Sequence, residues 1–283
     1  METYNKFFKD YKPVFNTYTN LDFPDNDLIE IAEGKRLFCE VFIFEAVINI
    51  KAEINEIRKI LLQAKNDFFK QVNDLNDCEI FFNKLLFNRK IVFKYSGVVK
   101  NDYCTNGTYS QENDEIKIYF GIMVDDIIRN KEFDNYEKMI EKFLGSMGHE
   151  LVHRGQQIAI KYENIRHMVF KNISDVTLTC YTTWEILKNE LEGKDIEIKS
   201  RVVRHIKYLN LPQEIMAHAW KIVNNFRLNG IKDENIKRLL ATHNEIKLNL
   251  GGQILKDYHL FFPIKSGDTL KNLYKYMYFY LEI

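Results

Sequence analysis

One helical period runs without interruption from about Asn135 to Lys161. Ile140, Leu144, Met147, Leu151 and Ile158 fall on a single stripe at the three-and-four spacing of an amphipathic helix. A helix of that length spans roughly 40 Å, so the remaining elements must be arranged around it. His149, Glu150 and His153 stand inside it. At about 100° per residue, His149 lies about 200° and His153 about 240° around the axis from Met147. Both imidazoles therefore leave the helix away from its apolar stripe. Gly145 and Ser146, one turn earlier on the histidine side, are small enough to leave room for a cleft.

The flanking sequence sets the fold class. Helical spacing also runs from Asp27 to about Asn76, through Leu28, Ile31, Leu37, Val41, Phe44 and Ile48 and on to Ile57, Leu61 and Phe68. "CEIFFNKLLF" (78–87) continues it. The period then shortens. "KIVFKYSGVV" (90–99) is rich in β-branched and aromatic residues, "GTYSQENDE" supplies a short strand and a turn, and "DEIKIYFG" (114–121) alternates Ile116, Ile118 and Phe120 with polar residues. About three strands are expected, in a small, mostly antiparallel sheet with 114–121 at an edge. Further helices are expected near 172–192, 195–209, 212–228, 232–245 and 267–281. The aromatic-rich tail 273–283 reads as packed core. With only four prolines and 12 glycines in 283 residues, the chain is a predominantly helical α+β protein. Its cleanest boundary lies near residue 76, separating a helical N-terminal extension (1–76) from a domain over 77–283, unless the two form one continuous unit.

Composition removes several function classes. Lys plus Arg and Asp plus Glu are 40 each, so no basic excess points to nucleic acid. "LFCEVFIFEAVINI" (37–50) is too short to span a bilayer and carries Glu40 and Glu45. The N-terminus lacks a secretory pattern, so a cytoplasmic protein without membrane insertion is expected. Cys39, Cys78, Cys104 and Cys180 are scattered, without the C-x-x-C pairs of a zinc cluster. The oligomeric state is not encoded in any recognisable pattern.

His149-Glu150-x-x-His153 is the string that carries chemistry. Imidazoles four apart on a helix project from one face and can bind one ion. Zn²⁺ accepts neutral imidazole nitrogen in tetrahedral geometry, and Glu150, rotated about 100° from His149, is placed to serve as a general base rather than to share the ion. A third ligand is required. Position 156 is Gln and 159 is Ala, so no third histidine follows at the extended spacing. "LPQEIMAHAW" (211–220) is the best downstream candidate: Pro212 suits a first helical turn, Glu214 falls in that turn 61 residues after His153, and His218 lies on its face. His218, as alternative ligand or as a partner orienting Glu214, and Asp175 are the rivals. His205 and Tyr208, shortly before, are candidate donors to an oxyanion. His167, His243 and His259 have no partner at metal spacing.

H-E-x-x-H on one helix, with E-x-x-A-x-A on a later one, resembles the gluzincin group of zinc metallopeptidases over roughly residues 80–228. The resemblance implies a zincin-like core, one Zn²⁺ per chain on His149, His153 and Glu214, Glu150 as catalytic base, and a polypeptide substrate extended along an edge strand. The long segment between the two motifs departs from compact members of that group. Two other classes share these features: a catalytically degenerate zincin-fold module used for binding, and a zinc hydrolase acting on a non-peptide amide.

Overall fold

The computed structural model describes residues 50–97, 104–163, 196–242, 249–262 and 269–282. The expected helix over 172–192, and with it Asp175, His167 and His243, lies outside the described residues.

Helix α1 (50–63) leads through Ala64 into α2 (Lys65–Gln71), and α3 (Leu75–Leu85) follows. Asp74 caps α3 by accepting the Asp77 amide at 2.8 Å, satisfying one of the donors that a helix start leaves free. These helices share a core with the rest of the chain. Phe68 is fully buried between Phe82, Tyr136 and Phe69, and the Tyr136 hydroxyl donates to the Leu61 carbonyl at 2.8 Å. Arg58 pairs with Glu141. Side chains on both sides of residue 76 thus fill one hydrophobic cluster.

Three strands follow, β1 (Ile91–Tyr95), β2 (Cys104–Ser110) and β3 (Glu115–Phe120), in the order β1-β3-β2. β2 and β3 are antiparallel, whereas β1 and β3 are parallel. The sheet is therefore mixed rather than mostly antiparallel, and β3 is its centre strand rather than an edge. The chain leaves a strand's width between β1 and β2, and β3 returns through that gap. Ile116, Ile118 and Phe120 point into the core, as their alternation requires.

The two sheet edges are treated differently. On β1, the Phe93 amide donates to the Asn83 side chain at 2.6 Å, the Asn83 amide returns to the Phe93 carbonyl at 3.1 Å, and the Tyr95 amide donates to Glu79 at 3.1 Å. Side chains of α3 occupy the positions a further strand would take. β2 forms the opposite edge and lies against the long helix.

Helix α4 (Met123–Asn130) precedes that long helix, α5 (Phe133–Glu163). Ile140, Leu144, Met147 and Leu151 are buried as the stripe requires, but every residue from Phe143 to Val152 is buried as well. The other faces of α5 are covered by the sheet and by α7 (Pro212–Leu228), which follows α6 (Ile196–Leu209). α8 (Asp233–Thr242), α9 (Gln253–Phe261) and α10 (Thr269–Glu282) complete the described chain. Leu273, Met277 and Tyr280 of α10 are core residues packed on α7, with Tyr280 edge-on to Trp220 at 5.3 Å. The architecture is α+β and mostly helical. Among the described residues, no helix is long and apolar enough to cross a membrane.

Candidate metal centre

The site forms where α5 and α7 cross in opposite directions. Gln156 donates to the Gln213 carbonyl at 3.1 Å at one end, and Gly145 faces Asn224 at the other. The helices approach this closely because α5 is bare at two points. A Cβ on Gly148 would lie 1.8 Å from Trp220 Nε1, and one on Gly145 would lie 3.0 Å from Asn224 Nδ2. These small residues make room for a helix, not for a cleft.

Local sequence explains how Glu214 reaches the contact. α6 ends at Leu209 and α7 begins at Pro212, so Asn210 and Leu211 alone turn the chain. Pro212 has no amide hydrogen to satisfy and its fixed φ suits a first turn. Leu211 offers no side-chain cap. The tight turn sets Tyr208, at the end of α6, close enough to Glu214 for the carboxylate to raise its phenol, with its ring edge-on to that of His218 at 5.5 Å.

His149 Nε2 and His153 Nε2 lie 3.2 Å apart, and Glu214 Oε2 lies 3.5 Å from the first and 3.4 Å from the second. Those carboxylate distances are long for hydrogen bonds, and Glu214 Oε2 has no hydrogen-bond partner although it is buried. A buried carboxylate oxygen in that state is costly unless a cation satisfies it. Tetrahedral zinc with bonds of about 2.0–2.1 Å places its ligand atoms about 3.3–3.4 Å apart. The triangle therefore has the edge lengths of one face of a zinc coordination shell. Glu150 lies just outside it, with Oε1 4.0 Å from His149 Nε2.

His218 is a near neighbour of a different kind. With His149 and Glu214 it forms a buried group whose ligand atoms all lie within 4.8 Å of one another, close enough to hold an ion but looser than the triangle that includes His153. Its ring is 5.0 Å from that of His149. His218 Nδ1 contacts the Tyr258 hydroxyl at 3.0 Å, and that hydroxyl donates to the Leu209 carbonyl at 2.8 Å. The Tyr258 oxygen is thus an acceptor toward the imidazole, which places the proton on Nδ1 and the free lone pair on Nε2. On the outer side, His153 Nδ1 meets Gln156 Oε1 at 2.9 Å. Because Gln156 uses its amide on Gln213, its oxygen accepts, and His153 is protonated on Nδ1 with Nε2 directed into the triangle.

Electrostatics follow from burial and from this crowding. Burial pushes the Glu214 carboxyl up, but the two imidazoles outweigh it and hold the group well below the usual carboxylate range. Burial lowers His149, with His153 adding to the effect against the pull of Glu214. His153 is desolvated too, yet Glu214 raises it above its ordinary value. Burial drives His218 strongly toward the neutral ring. Glu150 is pushed up to about 7 by burial, against the opposing influence of His153. Burial, reinforced by Glu214, also raises Tyr208.

The structure therefore gathers His149, Glu150, His153, Tyr208, Glu214 and His218. His205 points elsewhere, with Nε2 3.0 Å from Asp257 on α9 and a half-exposed side chain. His259 pairs with the Tyr274 hydroxyl at 2.6 Å. Sequence reasoning did not single out Tyr258, Gln156 or Trp220. Searches of protein-family models, of curated proteins and of solved structures found no match to this chain.

Proposed function

We propose that the chain is a zinc-dependent metallopeptidase with a zincin-like core, holding one Zn²⁺ on His149, His153 and Glu214. The convergence of three ligand atoms at 3.2–3.5 Å around an unpartnered buried carboxylate oxygen carries this reading. It favours His153 over His218 in the ligand set. When bound, zinc supplies Lewis acidity, acidifying water and polarising an amide carbonyl.

The chain's own residues supply the rest. Glu150 takes a proton from the attacking water on its carboxylate and passes it to the leaving nitrogen. Tyr208, beside Glu214 and edge-on to His218, stands where outer partners of metal ligands stand. Gln156 and the backbone beyond it hold the His153 ring. An extended polypeptide cannot pair with β3, whose two sides are taken by β1 and β2. It pairs instead along β2, the edge beside the site.

Titration with zinc against a chromogenic chelator, together with hydrolysis of unfolded casein, tests the proposal. One tightly bound zinc per chain, lost in Glu214→Ala and retained in His218→Ala, is expected. Metal release by His218→Ala alone overturns the ligand set. Tight zinc without hydrolysis of casein or of small amides identifies a binding module, and cleavage of small amides alone identifies an amidase.

A further inference from the structure

α5 presents two pairs of residues at helical spacing, not one. His149 and His153 project toward α7. Glu150 and Arg154 are also four apart, rotated by about 100° from the histidines, and both project toward the β2–β3 hairpin. Arg154 grips Asp114 in the turn of that hairpin through two bonds, Nε to Oδ1 and Nη2 to Oδ2, each 2.8 Å. Lys90 reaches the same carboxylate at 3.1 Å and the Tyr109 hydroxyl reaches it at 3.2 Å. Asp114 sits at φ 50°, a left-handed conformation that few side chains other than Asp and Asn adopt readily. One carboxylate thereby ties the hairpin to the helix a single turn beyond Glu150.

That tie sets how closely β2 approaches Glu150. The Tyr109 backbone lies near enough to the Glu150 carboxylate to favour its charged form. Residues two apart on a strand direct their backbone groups to the same side, so Gly107 faces Glu150 as well. There is no room there for a side chain. A Cβ on Gly107 would lie 2.6 Å from Glu150 Cγ, 3.0 Å from Oε1 and 3.1 Å from Cδ.

We infer that Gly107, the Tyr109 backbone, Asp114 and Arg154 form a positioning frame that places the Glu150 carboxylate, separate from the residues that hold the metal. As a statement about the reaction it rests on the peptidase reading. As a statement about Glu150 it does not. Strand β2 would then have two roles, supporting the base from below and presenting its edge to substrate. All four are positioning groups that act through Glu150.

A double-mutant cycle on metal-free protein reads the frame directly. Gly107→Ala is expected to lower the unfolding temperature by several degrees, and Glu150→Ala is expected to remove most of that loss, because contacting pairs are coupled and distant ones are not. Zinc affinity of Gly107→Ala should stay within about twofold of the parent. On casein-derived peptides, kcat should fall by about 100-fold with KM little changed, the scale expected when a reacting group is displaced by about 1 Å. Arg154→Met, which loosens the hairpin without filling space, should lower kcat by a smaller factor, and Arg154→Lys should restore only part of it because the two-bond grip is lost. Equal temperature losses with and without the Glu150 side chain overturn the frame. So does loss of zinc affinity in step with kcat. If the parent cleaves no peptide at all, the peptidase reading fails, and the metal-free cycle still decides whether β2 places Glu150.

Discussion

The α7-facing and β2-facing sides of α5 solve different problems with different materials. Toward α7 the contact is helix on helix, thinned by Gly145 and Gly148, and the groups that meet are buried imidazoles and a carboxylate. Toward β2 the contact is helix on strand, and the backbone at Gly107 meets Glu150 while Arg154 and Asp114 close a charged grip near the surface. A close helix pair holds side-chain atoms at short fixed distances, which suits an ion. A strand edge offers amides at regular intervals, which suits a carboxylate and an extended chain. In the proposed reading, holding a metal and moving a proton are therefore separable by mutation on one helix.

The strongest way to break that division is to remove a ligand. Glu214→Ala and His153→Ala should each lower zinc affinity by more than the roughly 10–100-fold that outer partners cost, while the β2 side keeps its structure. Next comes Glu150→Gln, which should keep zinc and lower hydrolysis by about 100- to 10,000-fold; a variant that cleaves like the parent removes Glu150 as the base. Gly148→Ala forces a methyl into Trp220 and should cost about 1–3 kcal/mol or more by denaturant unfolding, with weaker zinc binding as the helices part. Tyr258→Phe strips the partners of His218 and of the Leu209 carbonyl. It should cost about 1–3 kcal/mol and leave zinc affinity within a few-fold, whereas a large loss would make His218 a ligand.

The smallest expected effect lies on the β2 side and depends on pH. Burial raises Asp114, but Arg154 and Lys90 outweigh it and set its folded value below the ordinary one. Its stabilising contribution is thus full above an unfolded value of about 3.9 and is lost as pH falls through the lower folded value. Asp114→Asn should flatten the acid limb of stability in that window, measured by thermal unfolding between about pH 2 and 5.

What was legible in the sequence was local. The position of α5, the shared face of His149 and His153, the start of α7 at Pro212 and the place of Glu214 in its first turn all follow from spacing within one helix. The sheet was legible as three strands but not in order, because alternation in "DEIKIYFG" reports one buried face and says nothing about which strands lie beside it. The frame around Glu150 joins residues 40 apart, Asp114 and Arg154, and such pairs leave no periodic trace. The size of Gly145 and Ser146 suggests room for a cleft. The same smallness serves a packed helix equally well, and only the partner, Asn224 and Trp220 for Gly145 and Gly148, tells the two apart. His205 and Tyr208 are three apart at the end of α6, yet the two-residue turn into α7 brings only Tyr208 to Glu214.

The caps that Asn83 and Glu79 place on β1 answer the outward backbone groups of that edge with side chains. A strand seeking a template finds the β1 side already answered by side chains, so pairing between copies of the chain through that edge is discouraged. In the peptidase reading proposed above, an extended substrate pairs along β2 and arrives beside Glu150. On that reading the fold works as an address: the side chains that answer one edge of the sheet leave an extended substrate the other.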